Sequence, residues 1–485
     1  MIGKKDFAPK LLYNISLEDL VAEDNFYRLL ERILDLNFVY KECEPLYGKT
    51  GNKSIDPVVF FKINLFGFFE NIISDRQLLR RISDSLAARL YLGYDLDEEL
   101  PWHSTISRTR ALMPEKLFEG IFNKVLKMCS DAGLIEGSHQ SIDSTLVRAN
   151  ASLEKVERKT PKLTLEKYIE ETKRENQLEL TDKIEGENKF EQSQNSSDQV
   201  SRLKDEKVNK DENKGNTEKQ NGLNDHKDQL TLTKHTKNNR RTLSNENYKS
   251  NTDPDSRIAK KPGKVVNLYY SVHYAVDSKA RIITDVLSSK ADQSDSNTLI
   301  EIVDRTEKRL NALGLKIESV GADKNYCSGE NLQQLENKQI EPYIPSQKHP
   351  NTLGRIDKRE FTYDQNRDLY ICPEAKQLEY NHTTKKKATV YSVKNKECLS
   401  CPIREKCMQG KKVRHVQHSI FREEYQRLSE RMHSWSGKQM MKIRKTNTEP
   451  LFAEAKTNHG LSKFMTIGLA KSQKKAFVIA TVGFS

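Results

Sequence analysis

The sequence predicts a mixed α/β fold preceded by an all-helical region, and three observations predict it. Apolar residues recur at helical spacing from Leu17 to about Ala132. Beyond that point, short β-branched and aromatic runs surround one long helical run, the order of a mixed sheet. Two of the runs carry an aspartate, Asp143 in Ser141-Ile142-Asp143-Ser144-Thr145 and Asp323 in Val320-Gly321-Ala322-Asp323-Lys324. A carboxylate where a strand opens into a loop is well placed to hold a hard cation through oxygen, because the sheet fixes it.

The N-terminal region, residues 1–132, reads as a helical domain. Leu29, Leu30, Ile33 and Leu34 fall at helical spacing, and Ser54-Ile55-Asp56-Pro57 starts a helix with proline in its first turn. Val58 to Phe69 is apolar almost all round, which suits the central helix of a small bundle. Leu78-Leu79-Arg80-Arg81-Ile82 sets arginines beside an apolar stripe. In His103-Ser104-Thr105-Ile106-Ser107-Arg108-Thr109-Arg110, Ser104 is placed to cap a short helix. Ser104, Thr105, Arg108 and Arg110 then fit a helix-turn-helix reader of DNA, whose second helix offers its first turns to a groove.

The first acid strand spans Gln140 to Leu146, within residues 133–152. Composition then changes: residues 153–250 are dominated by Lys, Glu, Asn, Gln and Asp, with Tyr168, Phe190 and Tyr248 the aromatics. Such a stretch cannot bury enough apolar area to offset its ordering entropy and reads as a disordered charged insertion, with a transient helix over 166–180 at most. Order returns at Asp253-Pro254-Asp255-Ser256-Arg257. Val265 to Val276 and Arg281 to Leu287 form an antiparallel pair turned at Asp277-Ser278-Lys279. Asp295 to Ala312 is a helix with Leu299, Ile300, Ile302 and Val303 inward, and Ile317 to Ala322 is the strand that delivers Asp323. The catalytic fold is therefore expected over 133–152, 251–344 and 436–485, with both acids on one edge of its sheet, where ligands bind in such sheets.

Residues 345–435 interrupt that fold. Cys372, Cys398, Cys401 and Cys407 stand as C-x25-C-x2-C-x5-C, a spacing that suits a structural zinc, with His415 and His418 as spare ligands. The alternative is unligated thiols. From Ser436 to Gly460 the pattern is helical and basic at its start, with Lys438, Lys442, Arg444 and Lys445. Lys445, Glu449, Phe452 and Lys456 share one face, so Glu449 can turn to the acids while the lysines reach phosphates. Glu454 is a rival carboxylate off that face. A last apolar helix, Lys475 to Val482, is expected to pack on the sheet.

Composition narrows the partners. A formal charge of +12 points to a polyanion, most simply nucleic acid. Hydrophobic residues make up 35%, low enough that some stretch is expected to stay solvated. No apolar run reaches the roughly 18 residues that cross a bilayer, and Met1 to Asp6 lack a signal-peptide core. Seven cysteines, an odd number, suit a reducing compartment, so a cytoplasmic, nucleoid-associated protein is expected.

With these residues in hand, the chain resembles the DDE transposases of bacterial insertion sequences. The resemblance lies in Ile142-Asp143-Ser144-Thr145 with the following Arg-Ala-Asn, in Asp253-Pro254-Asp255-Ser256-Arg257, in Gly321-Ala322-Asp323-Lys324-Asn325-Tyr326, and in Glu449-Pro450-Leu451-Phe452 with Lys456. The helices around Gly51 to Arg110 resemble the domain that precedes the catalytic domain in that family. The resemblance implies a ribonuclease H-like core whose three acids are Asp143, Asp323 and Glu449. Related enzymes carry Tyr-x2-Arg-x3-Glu-x6-Lys around the last acid; here Lys442 and Lys445 hold the Tyr and Arg places, and Arg444 lies one place from the Arg.

Three carboxylates can hold two Mg2+ or Mn2+ ions about 4 Å apart across a phosphodiester, whereas cysteine sulfur does not suit these ions. Lys456, Lys445, Arg444 and Lys442 are the expected phosphate contacts. The expected activity is strand cleavage at terminal inverted repeats and strand transfer into target DNA, by a homodimer in the DNA complex. The alternatives are an inactive DNA-binding regulator derived from a transposase and a metal-dependent nuclease without strand transfer.

Overall fold

The computed structural model describes residues 14–48, 54–159, 243–260, 263, 265–347, 354–385, 387–393, 398–408 and 413–483. Most of the charged insertion, including Tyr168, Phe190 and the expected helix over 166–180, lies outside the described residues, as does Met1 to Asp6. The chain divides into two compact units, Met1–Glu157 with Lys249–Ser485, and Arg158–Tyr248. In the second, the Lys159 N–H donates to the Asn247 carbonyl. The first holds everything that follows.

Its N-terminal part is helical: α1 (Leu17–Leu20), α2 (Phe26–Ile33), α3 (Phe38–Cys43), α4 (Pro57–Phe69), α5 (Asp75–Ser83), α6 (Leu86–Leu92), α7 (His103–Leu112) and α8 (Glu115–Asp131). The start of α4 follows from its sequence. Asp56 caps it by accepting from the Val58 and Val59 N–H groups at 2.7 and 3.2 Å, and Pro57 needs no donor in the first turn. Its Phe60, Phe61, Ile63, Leu65, Phe66 and Phe68 are all buried, so the helix is central to the bundle, as its apolar sequence implies.

Leu29, Leu30 and Ile33 lie on α2, as their spacing implies, although Leu29 and Ile33 are exposed; the helix docks through Tyr27, which packs on Phe66 and Tyr91. One local expectation fails here. Ser104 does not cap α7. Trp102, held extended after Pro101, is the cap residue, and its carbonyl accepts the first helical bonds. Ser104 lies inside the helix, and its hydroxyl accepts from Arg108 one turn on.

The sheet contains β1 (His139–Arg148), β2 (Arg257–Ala259), β3 (Asn267–Asp277), β4 (Ile283–Lys290), β5 (Ser319–Ala322) and β6 (Glu341–Tyr343). Its order is β2-β3-β1-β5-β6, with β4 also paired to β3. β3 pairs antiparallel with β1 on one side and also with β4, while β5 and β6 run parallel to β1. The β3–β4 hairpin falls where the sequence places it, and Arg281 takes the left-handed conformation (φ 59°) in its turn. Helix α9 (Asp295–Asn311) crosses from β4 to β5 with Leu299, Ile302 and Val303 buried. Helix α10 (Gly329–Asn337) precedes β6.

Asp143 is not at a strand end. β1 continues to Arg148 through its antiparallel pairing with β3, whereas its parallel pairing with β5 stops at Ile142 opposite Ala322. The acid therefore marks the point where one partner strand leaves and the other stays.

A second sheet, β7 (Thr362–Asp364), β8 (Leu369–Ile371), β9 (Gln377–Thr383), β10 (Ala388–Ser392) and β11 (His415–Ser419), is antiparallel in the order β11-β10-β9-β8-β7. Its own core is small, built from Ile356, Phe361, Tyr370, Leu378, Tyr391, Val393 and Val416. Helix α11 (Arg404–Met408) lies within this region, and α12 (Arg422–His433) leads to α13 (Trp435–Asn458) and α14 (Leu469–Val482).

Helix α14 joins the two halves of the unit. It packs on β4 and against α4 and α8, with Phe477 beside Phe122, so helices and main sheet share one continuous apolar core. The architecture is a mixed α/β fold: an N-terminal helical region followed by a ribonuclease H-like sheet with insertions.

Candidate catalytic site

The register of β1 and β5 decides the site. Ile142 pairs with Ala322 in the parallel ladder, so the next residues, Asp143 and Asp323, emerge side by side from adjacent strands. Asp323 caps the short helical turn Lys324–Tyr326, accepting from the Lys324 N–H at 2.7 Å. Burial pushes the Asp143 carboxyl above its ordinary value, and the charge of Asp323 pushes the same way; the Ser144 N–H, the Arg444 charge and the Thr448 hydroxyl oppose them. Two neighbouring carboxylates, one of them desolvated, form a place where a cation is electrostatically favoured.

Helix α13 covers this pair. Its docking is fixed by Phe452, whose ring stacks on Tyr274 at 4.7 Å and 15°. Tyr274 is the cross-strand partner of Asp143, so both face α13. One turn along, Thr448 Oγ1 lies 3.2 Å from Asp143 Oδ2, and Arg444 Nη1 donates to the same oxygen at 3.1 Å. Lys456 meets the hydroxyl of Thr145, which shares the Asp143 face of β1.

The inward face of α13 is therefore Met440, Arg444, Thr448, Phe452 and Ala455, not the line through Lys445 and Glu449. Lys442, Lys445, Glu449 and Glu454 are exposed, as is Lys438. Glu449 follows Thr448 directly, so its Cα stands about 3.8 Å from that of a residue touching Asp143. Its side chain is nonetheless exposed and, among the described residues, makes no hydrogen bond or ion pair. The structure brings together Asp143, Asp323, Arg444 and Lys456, and leaves Glu449 at the rim. Among the described residues, no three His, Cys, Asp or Glu side chains are arranged to hold a metal ion. Thr448 was missed from sequence; its signal was its position four residues after Arg444, on the same face.

In the N-terminal region, Arg108 folds back on Ser104 at 3.2 Å, and both, with Thr105, are partly or fully exposed. Arg110 is different. Its guanidinium makes a two-pronged bond to Asp75 at 2.8 and 3.0 Å and also donates to Asn64, with 13% of the side chain exposed. That engagement leaves little of the Arg110 side chain exposed, and opening it would leave Asp75 without its partner.

The four cysteines also converge. Cys372, Cys398, Cys401 and Cys407 line one pocket with Phe361, Leu378 and Arg414. The Lys376 N–H donates to Cys372 Sγ at 3.3 Å, the turn geometry that presents a sulfur outward from a hairpin. His415 and His418 do not line this pocket. His418 bonds Tyr370 at 3.0 Å, and burial pushes its imidazole down to about 4.

Two comparisons with known families agree with this geometry. Residues 15–112 match the family described as Transposase domain (DUF772), and residues 371–483 match Transposase DDE domain. The second match takes in the cysteine region, α13 with Glu449, and α14. A search of curated proteins finds no match. Among the described residues, no helix is long and apolar enough to cross a membrane. A helical transposase domain, a DDE domain and a ribonuclease H-like sheet in one chain together support a DDE-type transposase of an insertion element.

Proposed function

We propose that the chain cuts DNA strands at the terminal inverted repeats of its element and transfers the freed 3′ ends into target DNA, with Asp143, Asp323 and Glu449 as its acids. The observation that carries this reading is that Asp143 and Asp323 each follow the last paired residue of adjacent parallel strands, under a helix that contacts Asp143 through Thr448, the residue before Glu449. Asp143 and Asp323 fit a divalent cation by oxygen chemistry and by mutual charge, and Glu449 joins them when its exposed side chain turns inward. Bound Mg2+ or Mn2+ would lower the pKa of an attacking water and stabilise the leaving 3′ oxygen.

The chain's own residues do the rest. Arg444 supplies positive charge beside Asp143 and would exchange that partner for a phosphate where a cation takes the carboxylate. Lys456 stands on the same strand face and neutralises a neighbouring phosphate, while Lys442 and Lys445 lie along the exposed side of α13 toward the flanking backbone. Ser104, Thr105 and Arg108 at the start of α7 are the proposed DNA contacts of the helical region. Two copies are expected in the DNA complex, because two ends are joined.

The four cysteines are proposed to hold a structural zinc. Their shared pocket, and a core too small to hold the second sheet without a further link, support this. Metal binding would draw the sulfurs together and couple that sheet's folding to zinc.

The test is separation of binding from cutting. Asp143→Ala, Asp323→Ala and Glu449→Gln are each expected to bind end DNA with wild-type affinity and to cut it at least about a thousandfold more slowly. Unimpaired cleavage by any of them would remove that acid from the site. Binding without cutting by the wild type in Mg2+ and in Mn2+ would replace this reading with a DNA-binding protein that lacks catalysis.

A further inference from the structure

Beneath the two acids, on the sheet face opposite α13, lies a set of hydrogen bonds, buried at His273 and Tyr326 and partly buried at Ser144 and Asp295, that the proposed chemistry does not use. Side chains alternate along a strand, so Asp143 faces α13 while Ser144 faces α9. Ser144 Oγ donates to Asp295 Oδ1 at 3.1 Å, at the first residue of α9. Directly across from Ser144 on β3 is His273, with no exposed surface. Its Nδ1 lies 2.7 Å from the hydroxyl of Tyr326, and its Nε2 lies 3.0 Å from Ser289 Oγ on β4. Tyr326 is also fully buried, and its hydroxyl meets the Ser144 side chain as well. It closes the turn that Asp323 caps, where the Tyr326 N–H donates to the Asp323 carbonyl at 3.0 Å.

The set therefore has two anchors, one residue from Asp143 on β1 and three from Asp323 in the turn that follows β5. We propose that Ser144, Asp295, His273 and Tyr326 are positioning residues for the metal site, holding the Asp143 and Asp323 backbones at the separation that a shared cation requires. Four polar side chains could be replaced by apolar ones at little cost to packing, so stability alone does not account for them. Direction does: hydrogen bonds fix the rotation and the spacing of the two strand ends, which apolar contacts leave looser. This inference rests on the reading of Asp143 and Asp323 as metal ligands.

The experiment is Mn2+ binding to the full-length protein without DNA, followed by electron paramagnetic resonance, for wild type, Tyr326→Phe, His273→Gln and Asp143→Ala. Tyr326→Phe keeps the ring and removes only the hydroxyl that joins His273 to Ser144. It is expected to weaken Mn2+ binding by about tenfold or more, the usual effect of losing a group that orients a ligand. It should stay folded, with its thermal midpoint lowered only as far as the loss of one buried hydrogen bond requires, and raised Mn2+ should restore DNA cleavage. Thr306→Val, which removes a buried hydroxyl bonded to Ile302 farther along α9, serves as the matched loss and should leave Mn2+ binding unchanged. Mn2+ affinity of Tyr326→Phe and His273→Gln within twofold of wild type would overturn the positioning role while leaving the metal site standing. Wild-type binding no tighter than that of Asp143→Ala would remove the metal site itself, and the inference with it.

Discussion

Replacing Lys475 by methionine should stabilise the protein, and by an amount that depends on pH. Lys475 is on α14 with 8% of its surface exposed, its ammonium 4.8 Å from the centre of the Phe68 ring. Burial is the main reason its pKa falls to about 7; the charge of Arg110 adds to this, and Asp75 opposes it. A drop from 10.5 to about 7 corresponds to about 5 kcal/mol of folding free energy lost while the ammonium stays charged. The sign follows from proton binding. Between pH 7 and 10.5 the unfolded chain holds the proton and the folded chain does not, so wild-type stability rises with pH through that window. Below pH 7 both states are protonated and the penalty is complete. The gain from Lys475→Met should therefore be largest at pH 6 and about 3 kcal/mol smaller at pH 9. Packing differences between lysine and methionine do not vary with pH, so the slope isolates the ionisation. Urea unfolding of both proteins at pH 6, 7, 8 and 9 measures it. A gain that is constant across that range would show that the ammonium is not penalised, and that the joint between helices and sheet tolerates a buried charge.

Other outcomes follow from the same contacts. Arg110→Ala should cost about 3 kcal/mol in urea unfolding, because it leaves Asp75 without its ion-pair partner and Asn64 Oδ1 without its donor, yet DNA binding by the folded fraction should be unchanged. Phe452→Ala, which removes the ring stacked on Tyr274, should cost about 3–5 kcal/mol and loosen α13, seen as faster amide exchange over 444–456. Cys401→Ser should lower bound zinc, measured by elemental analysis, from one per chain toward none and expose the second sheet to proteolysis. Zinc-free wild-type protein with an intact second sheet would contradict that assignment.

Much of the fold was legible because local rules pointed one way. Asp56-Pro57 before an apolar run could only start a buried helix, and β-branched alternation on either side of Asp277 could only make a hairpin. Asp143 and Asp323 were legible as acids that strands deliver to one edge of a sheet, but that these strands are immediate neighbours was not, since it depends on which strand lies beside β1. The face of α13 was misread by one residue. Helical spacing grouped Lys445 with Glu449, whereas the stack of Phe452 on Tyr274 turns the helix so that Arg444 and Thr448 meet the acid. Arg110 looked like a DNA contact for a similar reason: its position on a polar helix start says nothing of Asp75, 35 residues earlier, which claims it. The Tyr326–His273 pair was silent in sequence, because two residues 53 apart meet only once β3 and β5 have flanked β1.

The central claim is that the paired acids cut DNA with a divalent cation. It is tested most directly by incubating the protein with labelled DNA carrying the element's own end, in Mg2+, in Mn2+ and in EDTA. The account predicts cuts at the repeat boundary that leave 3′-hydroxyls, present with either metal, absent in EDTA and absent for Asp323→Ala. Cutting that persists in EDTA, or that Asp323→Ala carries out as well as wild type, would contradict it.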